Sequence, residues 1–192
     1  MTTGAWEEPP EGAAAMAAER IAAAVPVLET ARLRLRAPRI ADFDAYAAIV
    51  CGPRGVHVGG PLDREEAWLD FAQMVAGWML RGHGLWSVET RGDGLLVGFV
   101  PLNHEFGDPE AELGWLFLET AEGHGYAGEA ARAARDFAFD RLGFATLVSY
   151  VAEGNARSER LARWLGAAPD AARHPLDAEV RVFRHPCPEV RP

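Results

Sequence analysis

Leu113-Gly114-Trp115-Leu116-Phe117-Leu118 is an apolar, strand-like run. It passes through Glu119-Thr120-Ala121-Glu122 into Gly123-His124-Gly125-Tyr126-Ala127-Gly128-Glu129, then directly into an alanine-rich stretch closed by Leu142-Gly143. The pattern reads strand, glycine turn, helix. Glycines let backbone N–H groups approach a ligand closely, and the first turn of a helix presents unpaired N–H groups with a partial positive charge. Together they make a pyrophosphate site that needs no basic side chain. The chain contains no lysine, so phosphate chemistry has to come from backbone or arginine. The alternative is a plain strand-to-helix turn, for which three glycines are more than is needed.

Gly123-His124-Gly125-Tyr126-Ala127-Gly128 also spells G-x-G-x-x-G, and Glu153 stands at about the distance of a ribose-binding acid, as in dinucleotide-binding folds. The context argues against an oxidoreductase of that kind. Four residues, two of them carboxylates, separate the strand from the first glycine. Too little chain follows Gly128 for the rest of a doubly wound sheet, and the preceding segments read as antiparallel hairpins rather than βαβ units.

Working outward, Phe144 to Ala152 reads as the next strand, Asn155 to Leu165 as a helix stopped by Gly166, and Ala178 to Arg184 as a final strand. Upstream, Ala111 to Leu118 follows a polar loop, Asn103 to Glu110. Before it, Gly84 to Glu89 and Leu95 to Leu102 flank the hairpin turn Arg91-Gly92-Asp93-Gly94. Asp63 and Glu66 have capping-box spacing and open a helix with Trp68, Phe71, Ala72, Val75, Trp78 and Met79 on its apolar face. Asp42 starts a short helix through Val50, and Arg32-Leu33-Arg34-Leu35-Arg36 alternates with the period of a strand. Met1 to Gly12 is rich in Pro, Gly and Glu and is expected to be mobile. Ala13 to Ala24 is a helix by propensity, placed either on the domain or at a subunit contact that would make a homodimer. This gives an N-terminal extension over 1–27, one domain over 28–186 and a tail over 187–192.

A chain of 192 residues suits one domain with a substantial core. Charged residues at 24% and apolar residues at 49% are those of an ordinary globular protein. A net charge of −9 argues against a nucleic-acid partner; it is compatible with cationic substrates and also serves solubility. Cys51 and Cys187 are far apart, without a C-x-x-C, so neither a disulfide framework nor a zinc site is expected, and the cytoplasm is the expected location. No apolar run approaches the ~20 residues of a membrane span, and the N-terminus has no basic n-region of a signal peptide.

Glu122-Gly123-His124-Gly125-Tyr126-Ala127 resembles the (Gln/Arg)-x-x-Gly-x-(Gly/Ala) motif of the GNAT N-acetyltransferase superfamily, and Gly123 to Ala130 is similar to the branch that includes the ribosomal-protein alanine acetyltransferases. Asn155-Ala156-Arg157-Ser158 matches the Asn-x-x-Ser of that branch, and the element order is the same over about Leu28 to Pro186. Two positions depart from the pattern: Glu122 stands for an aromatic or basic residue, expected to be solvated, and Gly128 for threonine. The resemblance implies a mixed, mostly antiparallel α+β sheet of six to seven strands flanked by helices. It implies acetyl-CoA as cosubstrate and no metal. The acceptor would be a small-molecule amine or a protein N-terminus, with no nucleic acid and no membrane.

By the same resemblance, the loop Gly123, His124, Gly125, Tyr126, Ala127, Gly128 and Glu129 binds the pyrophosphate. The backbone of Leu116, Phe117 and Leu118 binds the pantetheine beside a bulge at Gly114. Asn155 bonds the pantetheine region, and Ser158 protonates the thiolate, since the tyrosine usual in that helix is missing. Asn155 equally reads as a simple N-cap. Glu112 is the candidate base, with His104, Glu105 and Glu89 behind it. Trp86, Trp115 and Trp164 are expected in the core, and Arg157, Arg160 and Arg163 in solvent, with Glu159–Arg163 an i,i+4 pair; the alternative is that one of these arginines meets a CoA phosphate. A CoA-sensing module without turnover is the non-enzymatic alternative.

Overall fold

The alternation of Leu33 and Leu35 with Arg34 places both leucines fully inside, on the second strand of a nine-stranded sheet, in a computed structural model that describes residues 4–174, 177 and 179–187. The strands are β1 (Leu28–Glu29), β2 (Leu33–Arg36), β3 (Leu85–Thr90), β4 (Leu96–Asn103), β5 (Glu112–Leu113), β6 (Leu116–Phe117), β7 (Val148–Ala152), β8 (Ala168–Arg173) and β9 (Val180–Arg184). The order across the sheet is β1-β2-β3-β4-β5-β7-β9-β8, with β6 also on β4. All ladders are antiparallel except β5 with β7.

The described residues form five α-helices: α1 (Gly12–Ala22), α2 (Phe43–Val50), α3 (Arg64–Arg81), α4 (Tyr126–Asp140) and α5 (Ala156–Trp164). α2 and α3 cover one face, where Phe43, Tyr46 and Phe71 pack on Leu85, Phe99 and Leu116. α4 covers the other, laying Ala130, Ala131, Ala134 and Ala138 on Leu33, Trp86, Val100 and Leu113. Small side chains on α4 bring its axis close to the sheet, which fixes where its N-terminus emerges. Asp63 caps α3 as its spacing predicts: its Oδ1 accepts the Glu66 N–H at 2.9 Å and Glu66 Oε2 accepts the Asp63 N–H at 2.8 Å.

Three strands exceed the expectation. β1 is a two-residue edge strand. β8 contains Pro169, a residue tolerated at the edge of a sheet, where β8 lies. The third arises because the strand expected over Ala111 to Leu118 is broken into β5 and β6. It keeps one register on β4, from Asn103↔Glu112 through Gly98↔Phe117, so Gly114 is not a bulge. Gly114 lies opposite Pro101, which has no N–H to give, and a Cβ there would meet the Pro101 ring at 2.8 Å.

The N-terminal segment is not loose throughout. Ala5–Glu7 forms a 3-10 turn, and Glu7 is buried against Arg64 (Arg64 Nε to Glu7 Oε1, 2.7 Å). α1 has no buried residue. Val25 joins the core, and Pro26 O accepts the Trp86 indole N–H at 2.8 Å, two contacts made ahead of residue 28. Ala178 and the tail beyond 187 lie outside the described residues. Among the described residues, no helix is long and apolar enough to cross a membrane.

Candidate active site

β5 and β7 pair at Glu112↔Val148, where the Val148 N–H bonds Ala111 O at 3.1 Å, and then part. Where the ladder would continue, side chains bridge instead. Ser149 Oγ donates to Leu113 O at 2.6 Å, with His185 Nε2 2.9 Å behind it, and the Tyr150 N–H bonds Glu112 Oε1 at 3.3 Å. Beyond this point β6 pairs with β4 alone. The Gly114 and Leu118 N–H groups bond Pro101 O and Val97 O, both at 3.0 Å. By strand alternation the backbone groups of Trp115 and Phe117 therefore face the opening, while those of Leu116 face β4. Of Leu116, Phe117 and Leu118, only Phe117 turns its backbone groups to the opening; those of Trp115 turn the same way, while its side chain packs against the core as expected.

The opening leads into two clefts that share Trp115, Leu116, Asn155 and Ser158 in their walls. The first, of about 770 Å³, is lined by Gly123, Gly125, Tyr126, Ala127 and Gly128. Gly123 and Gly125 have φ of 76° and 75°, a conformation that L side chains rarely adopt. Gly125 is the N-cap of α4 and offers no side-chain cap; the first intrahelical bond is Glu129 N–H to Gly125 O at 3.2 Å. The Tyr126, Ala127 and Gly128 N–H groups thus precede the helical ladder, as a pyrophosphate cradle needs. Gly128 is glycine because Trp164 lies on it: a Cβ would meet the indole at 2.8 Å. Trp164, expected in the core, is 56% exposed and walls this cleft.

Three predicted loop and strand residues stand off the cleft. Leu118 packs in the core. His124 stacks on Tyr126 at 5.2 Å between ring centroids, its Nδ1 2.8 Å from Glu122 O. Glu129 turns to the β1–β2 connection, accepting from Thr30 Oγ1 (2.5 Å), Arg32 N–H (2.9 Å) and Arg32 Nε (2.7 Å). Arg32 also donates to His124 O at 2.9 Å. These two side chains brace the loop from outside. Glu122 is not solvated: it pairs with both Arg54 and Arg157, which hold its carboxyl below the usual range. Arg157, expected in solvent, is therefore engaged, while Glu159–Arg163 is the i,i+4 pair its spacing suggests.

Asn155 is the N-cap of α5, its Oδ1 accepting the Ser158 N–H at 3.1 Å. The cap uses the oxygen, and the amide NH₂ remains to face a ligand. Trp115 Nε1 donates to Ser158 Oγ at 3.1 Å. A hydroxyl that accepts from an indole keeps its own hydrogen to donate.

The second cleft, of about 910 Å³, contains Glu112 with Asp70, Glu105 and Asp108, and among the described lining residues no arginine. Burial, then the charges of Glu105 and Asp108, pushes Glu112 up to about 8. Burial, then Asp70 and Asp108, pushes Glu105 up to about 7. Tyr46 donates to Asp70 Oδ2 at 2.5 Å. The other candidate bases are engaged elsewhere: His104 Nε2 lies 3.0 Å from Asp108 O, and Glu89 is bound to Arg36 at 2.7 Å in a buried cluster with Asp42. Asp70, Arg54 and Trp164 were missed because their roles depend on elements folding back over the opening. Only the apolar spacing around Asp70 and the proline before Arg54 hinted at a helix and a turn there.

The model of the Acetyltransferase (GNAT) domain family matches residues 32–168. An acetyltransferase from Agrobacterium tumefaciens is similar at 42% identity, with a TM-score of 0.81 over 84% of this chain and 95% of that one. The Bacillus subtilis protein YkkB is 29% identical over 72% of this chain and 83% of its own length. The ribosomal L7/L12 α-N-protein acetyltransferase RimL in complex with coenzyme A shares the fold at 16% identity, with a TM-score of 0.66 over 83% of this chain and 97% of that one. The glycine loop at the head of α4, the strands that part beside it and a family match across most of the sequence lead to one conclusion: the chain belongs to the GNAT acetyltransferase family.

Proposed function

We propose that the protein transfers an acetyl group from acetyl-CoA to an amine by direct attack in a ternary complex. The observation that carries this is the meeting of two clefts of opposite character at Trp115, Leu116, Asn155 and Ser158. The first has the helix N-terminus, the glycine loop and arginines suited to a pyrophosphate. The second has carboxylates suited to an ammonium group. Among the described residues there is no group of three or more His, Cys, Asp and Glu arranged for a metal, and the proposed chemistry draws on none.

Each residue then has a task. Acetyl-CoA supplies the activated acyl group. Asn155 and the backbone of Trp115 and Phe117 orient it, and an N–H of that edge receives the developing oxyanion. Glu112 takes the proton that the ammonium must lose before it attacks. Ser158 gives its hydrogen to the departing thiolate, an assistance of limited size because a thiol pKa is near ~8.5. The acceptor class is a small cationic amine or a protein N-terminus; the acidic second cleft suits either.

The test is a panel of amines and N-terminal peptides incubated with acetyl-CoA, with products identified by mass. Acetyl-CoA and CoA should raise the melting temperature by binding the folded state, and NAD and NADP should not. Equal stabilisation by NAD would overturn the donor assignment. Stabilisation by CoA with no product from any amine would favour a binding module without turnover.

A further inference from the structure

Glu122 closes the 3-10 turn Glu119–Ala121 and immediately precedes Gly123, at the entrance to the glycine loop. Its two carboxylate oxygens are divided between two walls of the first cleft. Oε1 meets Arg54, from the turn Pro53–His57 after α2, and Oε2 meets Arg157, in the first turn of α5. Three arginines line that cleft, Arg54, Arg157 and Arg160, and Glu122 engages two of them. A carboxylate at a site built for anions is costly on electrostatic grounds. The uncapped amides of α4 attract negative charge, and an anion already there repels the next one. The pairing also ties three elements across the cleft mouth that no shared secondary structure joins.

We propose that Glu122 is a placeholder for the donor's pyrophosphate: it holds Arg54 and Arg157 at the cleft mouth until the phosphates take them over, so that donor binding is an exchange of ion-pair partners. The inference rests on the reading of this cleft as a CoA site. Each arginine moves from a carboxylate to a phosphate oxygen, and guanidinium suits both because its fork matches either geometry. In the empty cleft the carboxylate keeps two long cationic side chains from repelling each other across the entrance. In the loaded cleft it leaves Glu122 to water. The carboxylate therefore works against donor affinity while ordering the residues that bind the donor.

The experiment is calorimetric titration of CoA and dephospho-CoA into the wild-type protein, Glu122→Gln, Arg157→Gln and the double variant, with melting curves confirming that each is folded. Glu122→Gln should bind CoA more tightly, by about tenfold, because a unit charge a few ångströms from the phosphates is removed and both arginines are released. Dephospho-CoA, which keeps the pyrophosphate, should show the same gain. Arg157→Gln should weaken binding, and should still weaken it when added to Glu122→Gln. Glu122→Gln binding CoA equally or more weakly than wild type would overturn the proposal, as would an Arg157→Gln that has no effect in the Glu122→Gln background. A gain lost with dephospho-CoA would overturn the pyrophosphate assignment. A wild-type protein that does not bind CoA at all would remove the donor reading itself, a result distinct from wild-type binding with an unimproved variant.

Discussion

Glu112 sits where the sheet parts, with one oxygen on the Tyr150 N–H and its surroundings crowded by other carboxylates. Its value of about 8 means that it is largely protonated at neutral pH, so a base at this position gains strength as pH rises through 8. Turnover should climb through that window, and Glu112→Gln should lower it by roughly 10²–10⁴-fold at neutral pH, recovering partly at high pH where more acceptor is already deprotonated, with CoA affinity unchanged; a pH–rate profile of both proteins checks this. Stability should move the other way. The folded-state value lies above the ordinary 4.5, so ionising Glu112 costs stability progressively between 4.5 and about 8. Glu112→Gln should therefore melt higher than the wild type at pH 8, an ordinary trade between function and stability. At this scale the sequence was informative where a residue's role is local. Asn155 reads as a cap from its place ahead of the helix, and Gly123 and Gly125 as a turn that brings backbone N–H groups close to a ligand. It was uninformative where the partner is distant in the chain: nothing near Glu122 announces Arg54 or Arg157.

The head of α4 shows what an element contributes beyond its residues. Its glycine loop is braced on one side by Glu129 and Arg32 and roofed on the other by Trp164, which needs Gly128 bare. Gly128→Thr, the residue of the resembled branch, would drive a side chain into the indole. It should destabilise the fold by about 1–3 kcal/mol, as overpacking does, and weaken CoA binding through the displaced Trp164; melting curves and titration read the two effects separately. Asp63→Ala removes the α3 cap and should cost ~1 kcal/mol with CoA binding untouched. Helices with capping signals and alternating strands were legible for the reason that caps and periodicity are local. The broken strand at Gly114 was not, because its cause is Pro101 on the neighbouring strand, and glycine alone suggested a bulge instead.

For the molecule as a whole, the question of where the domain starts has a measurable answer. Removing residues 1–22 deletes α1, which has no buried residue, and the Glu7–Arg64 contact. Removing 1–26 also takes Val25 from the core and the carbonyl of Pro26 from the buried Trp86 indole. The longer deletion should cost about 1–3 kcal/mol more than the shorter, the price of an unsatisfied buried donor, and chemical denaturation of the two truncations checks it. The order of elements and the family were readable because they are carried by a motif and its sequence neighbours; the contacts of Val25 and Pro26 were not, because their partners are distant in the chain. One feature of the sheet reaches further. β7, β8, β9 and α5 have a small cluster of their own, Val151, Ala162, Ala167 and Phe183, with Leu147 and Leu165 reaching the main core, and they meet β5 through one ladder pair and the Ser149 and Tyr150 bridges. The strands from β1 to β4 share far larger clusters with α2, α3 and α4. Native-state hydrogen exchange should therefore resolve two cooperative units, the C-terminal one opening at lower free energy. A molecule lodged between Phe117 and Asn155 would touch both units at once, and the slow-down it imposes on amides of β7 and β9 would measure how far the two fold as one.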